Sequence, residues 1–368
     1  MKKFILISPK NRTAYNFRGD LVKSIITQGY EVIVTGPNRE NIEKIQELGA
    51  RFVEIPMDKT GINPFSDIRY TYSLYKLFKK EKPDVTLGYT IKPVIYGSIA
   101  ARFADVKTVV SMVTGIGYLF ASSSIKAKII RSISSILYKV GFKCCNKIIF
   151  QNMDDREEFT HRNLCPSEKT FVVNGSGVNM TKFTPTPFPE QPSFFFLGRF
   201  IKSKGIMDFI KAAYIIKSKY NNSRFFILGK FENINDEAPK EEIKNAIENG
   251  IIEHFPETDN ISKYYAMSSV FVLPTYYREG TPRVILEAMA CGRPIITTNT
   301  PGCKETVIDG KNGFFVEIKN PYDLANKCER FILQKDLVEK MGYESYLLCK
   351  NKYDVEKVNT EMLRILGI

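Results

Sequence analysis

Short apolar runs alternate with stretches of helical period along the whole chain. In the first half, residues 4–8, 31–35, 51–55, 85–87 and 108–113 read as strands, and residues 19–28, 39–48, 67–80 and 96–103 between them as helices. The rhythm restarts at 194–197 and continues with strands at 224–228, 251–255, 270–274 and 294–298, after which residues beyond 320 read as helical to the end. Strands that alternate with helices form parallel sheets covered on both faces, so the pattern predicts an α/β protein with two doubly wound, Rossmann-like domains. Residues 172–187, rich in Gly, Asn and Pro, mark the linker between them.

Composition narrows the class. A chain of 368 residues with 43% hydrophobic and 25% charged positions is that of a soluble globular protein of two ordinary domains. Seven cysteines, an odd number without a Cys-x-x-Cys pair, and only two histidines give neither a disulfide framework nor a zinc site, and a reducing cytoplasm is the expected compartment. Residues 1–8 are too short an apolar run for a signal peptide, and residues 108–125 carry Ser, Thr and Gly throughout, so no transmembrane helix is expected. The net charge of +13 is uneven: residues 1–180 hold 27 Lys/Arg and 16 Asp/Glu, residues 181–368 hold 26 and 24. That asymmetry points the first half toward a polyanion, a nucleic acid or an anionic membrane. No recognition-helix motif, zinc-finger spacing or RNA-binding aromatic signature supports nucleic acid.

Residues 123–143 form a basic amphipathic stretch. Ile125, Ile129, Ile133, Ile136, Leu137 and Val140 recur at helical spacing, with Lys126, Lys128, Arg131, Lys139 and Lys143 elsewhere around the turn. An interfacial helix has this pattern, and so does an ordinary surface helix packed on a sheet.

Candidate chemistry concentrates where a strand end, a loop and a helix start follow one another, the usual ligand position of an open α/β sheet. After the strand at 270–274 come Glu279 in a loop with Gly280, Thr281 and Pro282, and Glu287 about two turns into the next helix. After the strand at 194–197 come Gly198, Arg199, Lys204 and Gly205. A guanidinium and an ammonium in a Gly-containing loop suit a diphosphate. Pro256 follows the strand at 251–255. In the first half, Lys92 follows one strand, and Gly115 and Gly117 follow the next, where they form either a tight turn or a close backbone approach to a ligand. Arg12 and Arg18 flank the first loop as phosphate candidates or as solvated side chains.

The block from Pro274 through Glu279, Gly280, Pro282, Glu287, Ala288, Ala290, Gly292 and Pro294 resembles the paired-glutamate signature of the retaining glycosyltransferases of family 4. Arg199 and Lys204 with their glycines match that family's diphosphate loop, and residues 90–93 and 113–120 resemble members that build bacterial surface polysaccharides and protein-linked glycans. The resemblance implies two Rossmann-like domains facing each other across a cleft (GT-B). It divides the chain into an acceptor domain, residues 1–174 with a returning helix at 353–368, and a donor domain, residues 175–352. It implies that Glu279 contacts the transferred sugar as the catalytic carboxylate, that Glu287 holds the ribose, and that Arg199 and Lys204 hold the diphosphate. Gly280, Thr281, Gly115, Gly117 and Pro256 complete the donor site, although the family usually has glycine where Pro256 stands. The family histidine near Gly115 has no counterpart here.

The implied donor is a UDP-sugar, UDP-N-acetylhexosamine among the candidates, and the implied acceptor a lipid-linked saccharide of capsule, O-antigen or glycan synthesis. It would meet Arg12, Arg18 or Lys92, with the protein peripheral at the inner face of the cytoplasmic membrane. Without an Asp-x-Asp clamp, no metal cofactor is expected. A soluble acceptor, nucleotide-sugar epimerisation on the same fold and a basic nucleic-acid-binding protein are the competing readings.

Overall fold

Two parallel sheets organise the chain. The computed structural model describes residues 1–58, 63–117, 125–232 and 236–368, with the side chains of residues 125–128 excepted. Contacts divide the chain into one unit of residues 1–176 with 355–368, and a second of residues 177–354.

The first unit orders its seven strands β3-β2-β1-β4-β5-β6-β7: β1 Lys3–Ile7, β2 Glu31–Gly36, β3 Arg51–Glu54, β4 Val85–Tyr89, β5 Thr108–Val113, β6 Lys147–Phe150 and β7 Thr170–Val172. Every ladder among them is parallel. The central strands are apolar throughout because both faces are covered. One face carries helices Pro64–Glu81, Ser98–Phe103 and Ile125–Cys144 on a core that includes Leu74, Ile95, Ala101 and Phe142. The other carries helix Asn11–Thr27 and the last helix, Val355–Leu366, through Leu21, Ile25, Met362 and Ile365. Asn359 Nδ2 donates to Ser24 Oγ at 3.3 Å and the Lys147 ammonium to the Ile365 carbonyl at 2.5 Å, fixing that last helix in this unit.

The second unit repeats the plan with β8 Ser193–Leu197, β9 Arg224–Leu228, β10 Glu253–Phe255, β11 Val270–Leu273, β12 Ile295–Thr298 and β13 Gly313–Val316, ordered β10-β9-β8-β11-β12-β13. Aromatic rings fill its core: Phe195 stacks on Phe226 at 4.9 Å between centroids and meets Phe271 edge-on at 5.7 Å. In each sheet the chain reverses its direction of winding at one place, β1/β4 and β8/β11, and a doubly wound sheet binds ligands at that switch point.

Local chemistry sets the boundaries. Asn63 caps helix Pro64–Glu81, its side chain accepting from the Phe65 and Ser66 amides at 3.1 and 3.3 Å, with Pro64 at the first helical position. The helix expected at 39–48 shrinks to Ile42–Gln46 because Asn41, at φ 53°, breaks the helical path before it. The helix expected at 96–103 begins earlier, as one π-helical turn over Pro93–Gly97 that runs into Ser98–Phe103. Strands β6, β7 and β13 are additional to the sequence reading, each only three or four residues long.

Candidate functional site

The loops that leave β8 and β11, the two strands at the second switch point, carry the charged residues expected there. Residues 202–204 make one 3₁₀ turn, and Gly205 at φ 77° turns the chain into helix Ile206–Lys219. A Cβ at Gly205 would stand 2.1 Å from the Pro274 carbonyl oxygen, so only glycine lets this loop lie against the end of β11. One acceptor then stitches the two loops together: the Ser203 carbonyl accepts from the Tyr276 amide at 2.8 Å, the Tyr277 amide at 3.0 Å and Thr275 Oγ1 at 3.0 Å.

That stitching brings opposite charges together. The half-buried Glu279 carboxylate accepts from the Lys204 ammonium through Oε1. Arg199 Nη1 donates to Glu232 Oε2 at 3.0 Å. The Tyr277 ring lies 5.5 Å from the Arg199 guanidinium and 5.7 Å from the Lys204 ammonium, so one aromatic ring neighbours both cations. Gly280 and Thr281 are buried in the loop behind Glu279.

Glu287 lies on helix Arg283–Ala290, almost fully buried. Oε1 accepts from Arg283 Nε at 3.1 Å, one turn earlier on the helix, and Tyr265 Oη is 3.1 Å from Oε2. Burial pushes the carboxyl above its ordinary 4.5, and the Arg283 guanidinium pulls in the opposite direction. Each oxygen keeps a second lone pair, which fits a carboxylate that accepts from a vicinal diol. Cys303 is buried near Glu279 and Lys204, and desolvation first, with the Glu279 charge second, pushes its thiol up to about 12. It therefore stays a thiol at neutral pH and is a poor nucleophile.

Pro256 is exposed in the loop after β10, where the Lys230 ammonium pairs with Glu257 at 2.8 Å. Among the described residues, no group of three His, Cys, Asp or Glu could hold a metal ion.

The first unit treats its candidates differently. Lys92 is not open to a phosphate: its ammonium is buried and donates to Asp67 Oδ1 at 2.7 Å, while Tyr96 Oη donates to Asp67 Oδ2 at 2.9 Å. This network ties helix Pro64–Glu81 to the turn after β4. Arg18 is also buried, its guanidinium 5.4 Å from the Tyr89 ring, whose hydroxyl meets Ser8 Oγ at 2.5 Å and Thr13 Oγ1 at 2.9 Å. Arg12 is exposed in the first turn of its helix. Gly115 and Gly117 follow β5 with φ of 109° and 68°. On helix Ile125–Cys144, Lys139 is exposed and Arg131 half-buried, while the side chains of Lys126 and Lys128 lie outside the described residues.

Tyr277, Glu232, Tyr265 and Arg283 are the site residues that the sequence reading did not name. Arg283 was legible as the residue four positions before Glu287, one helical turn away; the others reach the site only through the fold.

Residues 180–347 match the family described as Glycosyl transferases group 1, and residues 5–152 the one described as Glycosyl transferase 4-like. A relative from Escherichia coli, UDP-Gal:alpha-D-GlcNAc-diphosphoundecaprenol alpha-1,3-galactosyltransferase, is 31% identical over 290 residues, which cover 75% of this chain and 73% of the relative. The chain belongs to this glycosyltransferase family. A second relative, the N,N'-diacetylbacillosaminyl-diphospho-undecaprenol alpha-1,3-N-acetylgalactosaminyltransferase of Campylobacter jejuni, is 26% identical over 90% of this chain and 89% of its own. The capsular polysaccharide biosynthesis glycosyltransferase CapM of Staphylococcus aureus is 29% identical over 84% and 82%. Among solved structures, Anabaena HepE in complex with UDP matches all of both chains at TM-score 0.81 and 16% identity, which establishes the GT-B fold for this glycosyltransferase. The sucrose-phosphate synthase of Thermosynechococcus elongatus, at TM-score 0.82 and 17% identity, has the same fold.

Proposed function

We propose that this glycosyltransferase moves a hexosyl residue, with retention, from a UDP-sugar to a saccharide linked to a polyprenyl diphosphate at a membrane surface. The observation that carries the reading is the juxtaposition of Lys204 and Glu279 at the β8/β11 switch point, with Arg199 beside them. Breaking the bond between the sugar's anomeric carbon and the diphosphate leaves negative charge on phosphate and positive charge on the sugar. A cation and a carboxylate held in contact supply one partner for each. Lys204 and Arg199 bind the diphosphate in the role a divalent ion plays elsewhere, Glu279 hydrogen-bonds the transferred sugar, and Glu287 holds the ribose.

The acceptor hydroxyl oxygen forms its bond to the anomeric carbon on the face that the diphosphate leaves. Its proton passes to the departing phosphate oxygen, and UDP is the second product. The step needs no protein nucleophile, which agrees with a Cys303 thiol held protonated. The names of the relatives from Escherichia coli and Campylobacter jejuni support a diphosphoundecaprenol-linked acceptor. The basic amphipathic helix Ile125–Cys144 supports a peripheral position.

The test pairs purified enzyme with a panel of labelled UDP-sugars and an undecaprenyl-diphosphate disaccharide, in EDTA. Label should enter the lipid product with retained anomeric configuration, and Glu279→Ala should lower turnover by about 10²- to 10³-fold while leaving UDP affinity near wild type. Label in soluble saccharides alone would replace the acceptor, an epimerised UDP-sugar without transfer would replace the reaction, and an unaltered Glu279→Ala would remove that residue's role.

A further inference from the structure

Three helices lie side by side over one face of the first unit's sheet: Pro64–Glu81, Ser98–Phe103 and Ile125–Cys144. Their inner faces share one core, which includes Leu74, Phe78, Ala100, Tyr138 and Phe142. Their outer faces are apolar as well. Phe65 is 84% exposed and Phe103 71%, and Ile68 and Tyr72 are open beside them. On the third helix, Ile129, Ile133, Ile136 and Val140 are exposed along one stripe, at positions that recur every three or four residues. Between the first two helices the outer side chains leave a groove of about 520 Å³, lined by Ile68, Tyr72, Tyr75, Tyr96, Ile99 and Phe103. A groove and stripe of this kind are more than the scattered apolar residues of an ordinary surface.

The charge around the apolar surface selects its occupant. Helix Ile125–Cys144 has five Lys or Arg and no acidic residue. Two acids on or next to the helices that line the groove are ion-paired, Asp67 with Lys92 at 2.7 Å and Asp105 with Lys79 at 2.8 Å. Glu81, at the end of the first helix, is paired with Lys3 at 2.9 Å and Arg51 at 2.7 Å. The Lys76 ammonium lies over the Tyr72 ring, 4.6 Å from its centroid, a further positive charge beside the groove. Tyr96 turns its hydroxyl away from the groove to Asp67 and leaves its ring to the lining. Aliphatic and tyrosine side chains flanked by an excess of basic residues form the surface that enters the interface of an anionic bilayer.

We propose that this three-helix face, and not the basic helix alone, is the membrane-docking surface, with an acyl chain of the anionic leaflet lying in the groove between helices Pro64–Glu81 and Ser98–Phe103. The proposal rests on the peripheral-membrane part of the function proposed above and locates it.

The chain contains no tryptophan, so one introduced indole reports on its own surroundings. Phe103→Trp and Ile68→Trp place the reporter at the groove; Tyr322→Trp places it at an exposed position of the second unit. Each variant is mixed with phosphatidylglycerol–phosphatidylcholine vesicles brominated along the acyl chains, after UDP binding has verified its fold. Emission from positions 68 and 103 should shift to the blue and be quenched, and emission from position 322 should not. Ile68→Ser combined with Phe103→Ser should weaken vesicle sedimentation about tenfold or more, since each removes apolar burial, and leave UDP affinity unchanged. Wild-type sedimentation with unaltered emission at 68 and 103 would overturn the groove assignment while leaving membrane association standing. Absence of sedimentation even for wild type would overturn both. A blue shift that follows protein concentration without vesicles would assign the face to a second copy of the chain instead.

Discussion

Lys204 and Glu279 form a half-buried pair between two loops that meet at a glycine, and the chemistry proposed for them separates charge binding from scaffold effects. Lys204→Ala or Arg199→Ala should weaken UDP by about tenfold or more and uridine far less, because only UDP carries the charge that these cations meet. Calorimetry showing equal losses for both ligands would assign the effect to the loop. Glu287 makes a second, pH-dependent prediction. Its folded pKa is raised by burial, so the folded protein holds this proton over a window starting at 4.5 where the unfolded chain has released it. The stability contribution of this group is therefore fully present below 4.5 and is lost as pH rises through the raised value. Ribose binding has the opposite sign, since it needs the carboxylate. Uridine affinity should rise with pH, its midpoint above 4.5, and Glu287→Gln should flatten the profile; a wild-type profile that is already flat would reject the ribose role. Glu279, Glu287, Arg199 and Lys204 could be read from the sequence because each belongs to a contiguous stretch around a strand end. Tyr265, 22 positions from its contact Glu287, could not. Neither could the burial of Lys92, which depends on Asp67, 25 positions away.

At the scale of elements, the alternation of apolar runs and helical periods was enough for the central strands of both sheets and for most of the long helices; the first of them begins at Asn11, where the pattern put a loop and started the helix only at residue 19. The strands it missed, β6, β7 and β13, lie at or next to the sheet edges and are only three or four residues long, too short for a periodicity to show. Their pairing partners, distant in sequence, make them strands. Loop geometry is where an element's construction touches the site, and Gly205 tests it. Gly205→Ala meets a left-handed backbone cost of about 1 to 2 kcal/mol and a Cβ position 2.1 Å from the Pro274 carbonyl oxygen. Gly310, at φ 74° with nothing within 4 Å of a built Cβ, meets the backbone cost alone. Thermal unfolding should show the larger loss for Gly205→Ala, and only that variant should also lose UDP affinity, because it displaces the Ser203 carbonyl that holds the Thr275–Tyr277 loop. Equal behaviour of the two variants would mean that the loop contact does not position the site.

Across the whole molecule, charge is the property that distinguishes the two halves: an excess of 11 positive charges in residues 1–180 against 2 in residues 181–368. The same fold serves both halves, so the difference is not required by folding and fits an external anion. An anionic lipid surface attracts each nearby Lys or Arg by about 1 kcal/mol, and salt shortens the reach of that attraction from a Debye length of about 8 Å at physiological ionic strength to about 3 Å at 1 M. Wild-type protein should therefore sediment with phosphatidylglycerol vesicles at low salt, much less with pure phosphatidylcholine, and progressively less as salt rises. Lys139 and Lys143 are exposed on helix Ile125–Cys144, so Lys139→Glu with Lys143→Glu should weaken binding by about thirtyfold or more, the equivalent of removing two such attractions. UDP affinity should not change, since neither residue belongs to the donor site. Sedimentation that is insensitive to salt would show that apolar burial alone drives association. Loss of UDP affinity in the charge-reversed variant would show that the substitutions disturb the fold, leaving the excess charge without the role given to it here.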